Sequence, residues 1–246
     1  MDLSNINIID VLIIAILGLS MVSGMYKGFM ASGLTMIGFI AAFFGAQTLY
    51  PQLAQAILEN TSLMKTLTYY LGASTMFKTA GLGEQLITGA TQNGFLEQAV
   101  KDLQAINLPD VLVNVFNINV SQEVFQAKGF TTFSDYLNQT IWSAAINVFS
   151  FVILFAVCYL LVLLVVNLLN NVFHFMLLKH FDWFLGGIFG LVRGYAIVAL
   201  LLAVVPMAMS IIEIDVVDKL VAASQFAHYF PTDFPLNDII AKAFRK

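Results

Sequence analysis

The chain has 246 residues, of which 59% are hydrophobic and only 11% charged, whereas roughly a quarter of the residues of an ordinary soluble domain are charged. Its net charge of -4 and the scatter of its 11 basic residues argue against nucleic-acid binding and against a polybasic lipid anchor. The single cysteine leaves no intrachain disulfide or paired-cysteine site. The high hydrophobic and low charged content indicates an integral membrane protein.

Two apolar segments at the start of the chain, residues 6–25 and 29–50, are each long enough to cross the roughly 30 Å hydrocarbon core of a bilayer. No basic residue precedes the first segment and Lys27 follows it, which is typical of a retained helix that enters with its N-terminus outside. Gly24 and Gly28 lie four residues apart across the turn, a spacing that permits close helix contact. Residues 1–50 therefore predict a transmembrane hairpin.

Asp10 lies about one turn inside the first predicted span. One interpretation is an interfacial carboxylate that interacts favourably with the helix dipole, and the sequence favours it. The other interpretation is an intramembrane acidic site.

Residues 51–140 contain no apolar run of spanning length, but their apolar side chains recur at helical spacing between glycines. They predict a helical extracytoplasmic insertion made of short amphipathic helices. Either these helices lie on the outer membrane face or they pack as a small cap over the bundle, and the sequence leaves both arrangements open.

A second transmembrane hairpin is predicted for residues 141–212, followed by an amphipathic tail at 213–246. Asp182 begins its last span and is the predicted cap of that helix. The expected fold is therefore all-α, with four transmembrane helices in two antiparallel hairpins and the insertion between the second and third helices. Glycines at a spacing of four predict a helix-packing seam, which comprises Gly24, Gly28, Gly186, Gly190 and Gly194.

Arg193 lies within this last apolar segment. Residues 183–212 would form about 45 Å of helix, longer than the hydrocarbon core is thick. Either Arg193 therefore lies at the cytoplasmic boundary, where a snorkelling side chain costs little, or the helix tilts and the guanidinium is drawn into the bundle. The sequence favours the boundary. Lys27, Asp182 and Arg193 form a candidate polar cluster on that side.

The basic residues close to the spans are Lys27, Lys179 and Arg193, and the positive-inside rule places them in the cytoplasm. Both termini and the insertion are then extracytoplasmic, although Lys242, Arg245 and Lys246 count against this orientation. No zinc, nucleophile-elbow or phosphate-loop motif occurs. We therefore assign no catalytic, cofactor-binding or metal-binding residue and expect no enzyme activity.

Three parts of the chain resemble the colicin V production protein family of bacterial inner-membrane proteins. Its early motif is similar to Ile9-Asp10 and Lys27-Gly28-Phe29, and its late motif is similar to Asp182 with Leu185 through Gly194. The family's Ser-x-x-Ala…Asn-Pro-Leu tail is similar to Ser224, Ala227 and Phe234-Pro235-Leu236, with Phe234 in place of asparagine.

The resemblance implies a non-enzymatic inner-membrane protein that supports toxin production or export and envelope homeostasis. Two alternatives remain open: a subunit of an oligomeric channel or transporter, and a membrane scaffold whose outer helices bind a protein partner. The expected partners are the lipid bilayer and either further copies of the chain or other membrane proteins. No nucleic acid partner is expected.

Overall fold

The structure is a computed structural model that describes residues 7–60, 62–64, 66, 76–88, 94–106, 108, 110–172, 181–211 and 215–231. For residues 170–172, 206–211 and 215–218 it describes the backbone alone. Lys179, the tail segment Phe234-Pro235-Leu236 and the three terminal cations lie outside these residues.

All regular elements in the described part of the chain are helical. The α-helices are α1 (Ile8–Leu58), α2 (Phe95–Ala105), α3 (Asp110–Ser121), α4 (Phe133–Val172), α5 (Asp182–Ile211) and α6 (Asp215–Ala222). Short 3-10 helices cover Leu82–Glu84, Gln126–Lys128 and Ala227–Tyr229. Leu86 and Thr132 form an isolated β-bridge. The predicted all-α class is confirmed.

Three of these helices are long and apolar enough to cross a membrane: α1, α4 and α5. This length and composition confirm the expected membrane character of the chain. The sequence predicted four spans, and α1 alone covers the first two predicted segments with its 51 residues.

Helix α1 reverses direction at Gly28. This residue has φ 77° and ψ 175°, a conformation that glycine adopts without the strain other residues would incur. The Ser32 hydroxyl donates to the Gly24 carbonyl at 3.0 Å, although residues eight apart in a straight helix are separated by about 12 Å. The chain therefore folds back on itself, and α1 consists of a first arm (residues 8–27) and a second arm (residues 29–58).

One compact unit contains residues 1–50 and 151–236. Within it, aromatic rings of the second arm pack against rings of α4 with centroid distances of 5.1 to 6.2 Å. Edge-to-face ring contacts of this kind contribute stabilising free energy in addition to that expected from the apolar area they bury. Small residues lie between the rings on the second arm. A Cβ on Gly38 would collide with Val162 of α4, so a larger residue at this position would push the two helices apart. The ring contacts join Phe39 to Phe155 and Tyr159, and both Phe43 and Tyr50 to Phe151.

The second compact unit includes residues 51–150, so it extends beyond the predicted insertion into the first turns of α4. Its centre holds Phe77, Phe116 and Phe133, whose ring centroids are 6.2 to 6.3 Å apart. The buried Tyr136 hydroxyl accepts a hydrogen bond from the Phe125 N–H at 3.1 Å. The described residues of this region therefore share a hydrophobic core of their own.

A buried carboxylate joins two parts of this second unit. Asp102 on α2 is 5% exposed and accepts hydrogen bonds from the Thr79 N–H at 2.8 Å and the Gln98 side-chain amide at 3.0 Å. Burial by itself raises the pKa of Asp102, but the hydrogen bonds outweigh it and hold the pKa below its ordinary value. The ionised carboxylate therefore stabilises the folded unit.

Asp102→Ala should lower the free energy of unfolding by roughly 1.5–3 kcal/mol near pH 7, because hydrogen bonds to a charged group are lost. The lowered folded-state pKa makes this contribution complete above the unfolded pKa of about 3.9 and removes it as the pH falls further. Thermal unfolding in detergent at pH 7 and at pH 3 measures both effects. Glu97→Gln, an exposed change on the same helix, is the control, and an equal loss in both variants would contradict the assignment.

Candidate functional site

The first arm and α5 contact each other through their backbones. A Cβ on Gly24 would collide with the Gly186 carbonyl, and one on Gly190 would collide with the Ser20 carbonyl. A Cβ on Gly194 would lie 2.9 Å from that of Ser20. Small residues let membrane helices approach this closely, so van der Waals contact and interhelical hydrogen bonds can hold them together.

The start of α5 contacts the reversal at Gly28. The Asp182 carboxylate accepts a hydrogen bond from the Phe29 N–H at 2.7 Å, and a Cβ on Gly28 would collide with that carboxylate. The sequence predicted that Asp182 caps its own helix; the structure shows its carboxylate at the start of the second arm, a cap that the sequence did not predict. The reason is that the reversal creates a new helix start, whose N–H groups lack partners within the helix.

Arg193 is 8% exposed, and its hydrogen bonds reach both arms of α1. Its Nε and Nη2 atoms donate to the Ser20 hydroxyl at 3.2 and 3.1 Å, and Nη1 donates to the Thr35 hydroxyl at 3.4 Å. The Ser20 hydroxyl in turn donates to the Gly190 carbonyl at 2.7 Å. The guanidinium therefore lies among the helices and does not extend outward as a snorkelling side chain would, while its depth in the bilayer stays a prediction.

This guanidinium joins the two arms. Ser20 and Thr35 would be about 22 Å apart in a straight helix, yet one side chain bonds to both. Burying an arginine in a membrane protein is costly unless polar groups surround it. Here the reversal at Gly28 brings two hydroxyls together to supply those groups.

The structure separates the predicted cluster of Lys27, Asp182 and Arg193 into two parts. Lys27 is exposed and within electrostatic range of Arg193, whereas Asp182 bonds to the backbone of Phe29. The sequence interpretation missed Ser20 and Thr35. Ser20 lies one helical turn before Gly24, so its position on the glycine face was a usable signal.

Asp10 combines a helix-capping role with a long-range contact. It is fully buried and accepts a hydrogen bond from the Asn7 N–H at 3.0 Å, in the manner of a capping box at the start of α1. It also accepts hydrogen bonds from the Ser224 hydroxyl at 2.5 Å and the Phe226 N–H at 3.0 Å. Asp10 thus holds the segment after α6 against the start of the chain, a contact that the sequence did not predict.

Metal binding has no evident site in the described residues, since no three His, Cys, Asp or Glu side chains there are grouped suitably for a metal ion. The hydrogen bonds of Arg193 and Asp10 instead connect helices to each other. These contacts can position helices and hold buried charge.

Gly24→Ala and Gly190→Ala should each push the first arm away from α5 and destabilise the protein, because the new methyl group meets backbone atoms that have little room to move. The expected cost is about 1–3 kcal/mol, measured by unfolding in detergent. Gly18→Ala on the same arm is the matched control, since its Cβ would meet nothing within 4 Å. Equal stability of the Gly18 and Gly24 variants would contradict the backbone contact.

Comparison with known proteins places these contacts in a family. The family model described as colicin V production protein matches residues 9–99 and 124–232, a range that includes Asp10, Gly28, Asp182 and Arg193. No curated protein and no solved structure matched the chain. The match covers well over half of the sequence, and the chain therefore belongs to the colicin V production protein family.

Proposed function

We propose that this chain is a non-enzymatic, four-span protein of the bacterial inner membrane that supports the production or export of a colicin V type toxin and, more broadly, envelope homeostasis. Family membership supports the link to toxin production. The observation that carries the non-enzymatic assignment is the environment of Arg193, whose hydrogen bonds are used to join helices.

The reversal at Gly28 supports the proposal of four spans. The first arm has 20 residues and the second has 30, which correspond to about 30 and 45 Å of helix, so each arm is long enough to cross the bilayer. Together with α4 and α5 they form two antiparallel hairpins. Lys27 lies at the reversal, and the positive-inside rule places it in the cytoplasm. Both termini and residues 51–140 are then extracytoplasmic.

A scaffold that binds a protein partner is the second candidate. The described residues of 51–150 have a buried aromatic core, so they offer a folded surface rather than a set of isolated helices. A channel or transporter subunit is less well supported. The first arm and α5 touch through their backbones, which leaves no solute path between these two helices.

Cysteine labelling tests the proposed topology. In a Cys158→Ala background, single cysteines at Tyr26 and Gln126 should react from opposite sides of the membrane, because Tyr26 adjoins the cytoplasmic reversal and Gln126 lies in the extracytoplasmic insertion. An impermeant maleimide added to intact cells should label the Gln126 variant and leave the Tyr26 variant unlabelled until the inner membrane is opened. Labelling of both variants in intact cells would contradict the four-span arrangement, and the reverse pattern would contradict the proposed orientation.

Arg193→Leu tests whether the buried arginine supports function. The substitution removes hydrogen bonds from a charged donor to both arms, so stability should fall by roughly 1.5–3 kcal/mol and toxin release by a host lacking its own copy should fall with it. Arg193→Lys should retain only part of the stability and of the toxin release, because lysine lacks the planar guanidinium group and its five N–H donors. Lys128→Leu, at an exposed position, is the control.

Full stability together with normal toxin release in the Arg193→Leu variant would rule out a necessary role for the arginine. Solute flux through proteoliposomes would favour the channel alternative. Loss of partner capture after deletion of residues 52–138, with membrane insertion unchanged, would favour the scaffold.

A further inference from the structure

An apolar groove runs between the second arm and α5. Its volume is about 230 Å³, which is below the roughly 300–1,000 Å³ of pockets that hold drug-sized ligands and suits a single hydrocarbon chain. All of its lining residues belong to the first compact unit. They are Phe39, Ile40, Phe43, Ala196, Ala199, Leu200 and Pro231.

One end of this groove lies about one helical turn from the buried arginine. On α5, Ala196 and Leu200 follow Arg193 by three and seven residues, so all three lie along one helix face. On the second arm, Phe39 follows Thr35 by four residues, and Thr35 accepts a hydrogen bond from Arg193. The Arg193–Thr35 pair therefore lies one helical turn below the apolar groove, on the side of the reversal at Gly28.

The polar end carries unbalanced positive charge. Lys27 and Arg193 are within electrostatic range of each other, and like charges raise each other's energy. Among the described residues the guanidinium bonds to hydroxyls and to no carboxylate. The Asp182 carboxylate at the reversal offsets one of the two positive charges and leaves the other unbalanced. A guanidinium has five N–H donors; the hydroxyls of Ser20 and Thr35 use three of them, and the Tyr159 hydroxyl of α4 is a further hydrogen-bond partner of Arg193. An anion would balance the charge and accept the remaining hydrogen bonds.

We propose that this site binds one acidic phospholipid, with its phosphate between Lys27 and Arg193 and one acyl chain in the apolar groove. The order of the parts matches a lipid of the leaflet that faces the Gly28 reversal, because the cations lie nearer the reversal and the groove extends away from it. Basic pockets between membrane helices are known to recognise acidic headgroups. The proposal goes beyond the role in toxin production and does not depend on it.

Native mass spectrometry of the full-length protein in detergent tests this site, with phosphatidylglycerol and phosphatidylcholine of identical acyl chains as probes. Wild type should retain one phosphatidylglycerol in preference to phosphatidylcholine. Lys27→Gln should lower that preference about fivefold, since a basic residue near the membrane surface contributes about 1 kcal/mol. Lys128→Gln, at an exposed site in the other unit, should leave it unchanged.

The acyl-chain half is tested by filling the groove. Ala199→Phe should abolish retention, whereas Ala15→Phe, at an exposed position on the first arm, should not. Lys27 is exposed, so Lys27→Gln should leave folding intact. It therefore tests headgroup binding even if Ala199→Phe impairs folding. Short-chain phosphatidylglycerol should bind more weakly than the long-chain form.

Three results would overturn the proposal. Equal retention of the two lipids by wild type would show that the cations do not select an anion. Displacement of phosphatidylglycerol by inorganic phosphate alone would show an ion site without a lipid. Equal losses in the Ala15 and Ala199 variants would show general adhesion to the apolar surface. None of these results bears on toxin release, so the proposed function is tested separately.

Discussion

The backbone contact between the first arm and α5 determines how the first compact unit is built. Gly24, Gly186 and Gly190 lack the side chains that would otherwise separate the two helices. At that separation the Ser20 hydroxyl reaches both the Gly190 carbonyl and the Arg193 guanidinium. A buried arginine is tolerated there because the close approach brings polar partners to it, and those partners would be out of reach across an ordinary helix spacing.

The reversal at Gly28 supplies the other half of this arrangement. It places Thr35 opposite Ser20, so one guanidinium bonds to both arms, and it exposes the Phe29 N–H that donates to Asp182. A side chain at Gly28 would require a strained positive φ and would collide with the Asp182 carboxylate. The two segments that resemble the family's early and late motifs therefore meet in space. Asp10 and Ser224 form a second such meeting at the other end of the first arm.

Much of this fold could be predicted from the sequence because lipid imposes strong constraints. Apolar length marks the spans, and glycine spacing marks a helix face, so the contact glycines could be identified from their spacing alone. Of the two partners of Arg193, Ser20 could have been found from its spacing of four to Gly24, whereas Thr35 is a single hydroxyl in an apolar run and gives no periodic signal. The bond between Asp182 and the second arm was not predicted, because a local capping rule cannot anticipate a partner 153 residues away. The aromatic core of residues 51–150 also depends on long-range contacts that periodicity alone does not specify.

The account depends on one helix pair, and crosslinking measures it directly. A Cβ on Gly187 would lie 2.8 Å from Cγ of Met25, so cysteines at these two positions in a Cys158→Ala background should form a disulfide rapidly under mild oxidation in native membranes. Cysteines at Gly187 and Tyr26 should not, because the Tyr26 side chain is 92% exposed. Crosslinking of the Tyr26 pair but not of the Met25 pair would contradict the contact between the first arm and α5.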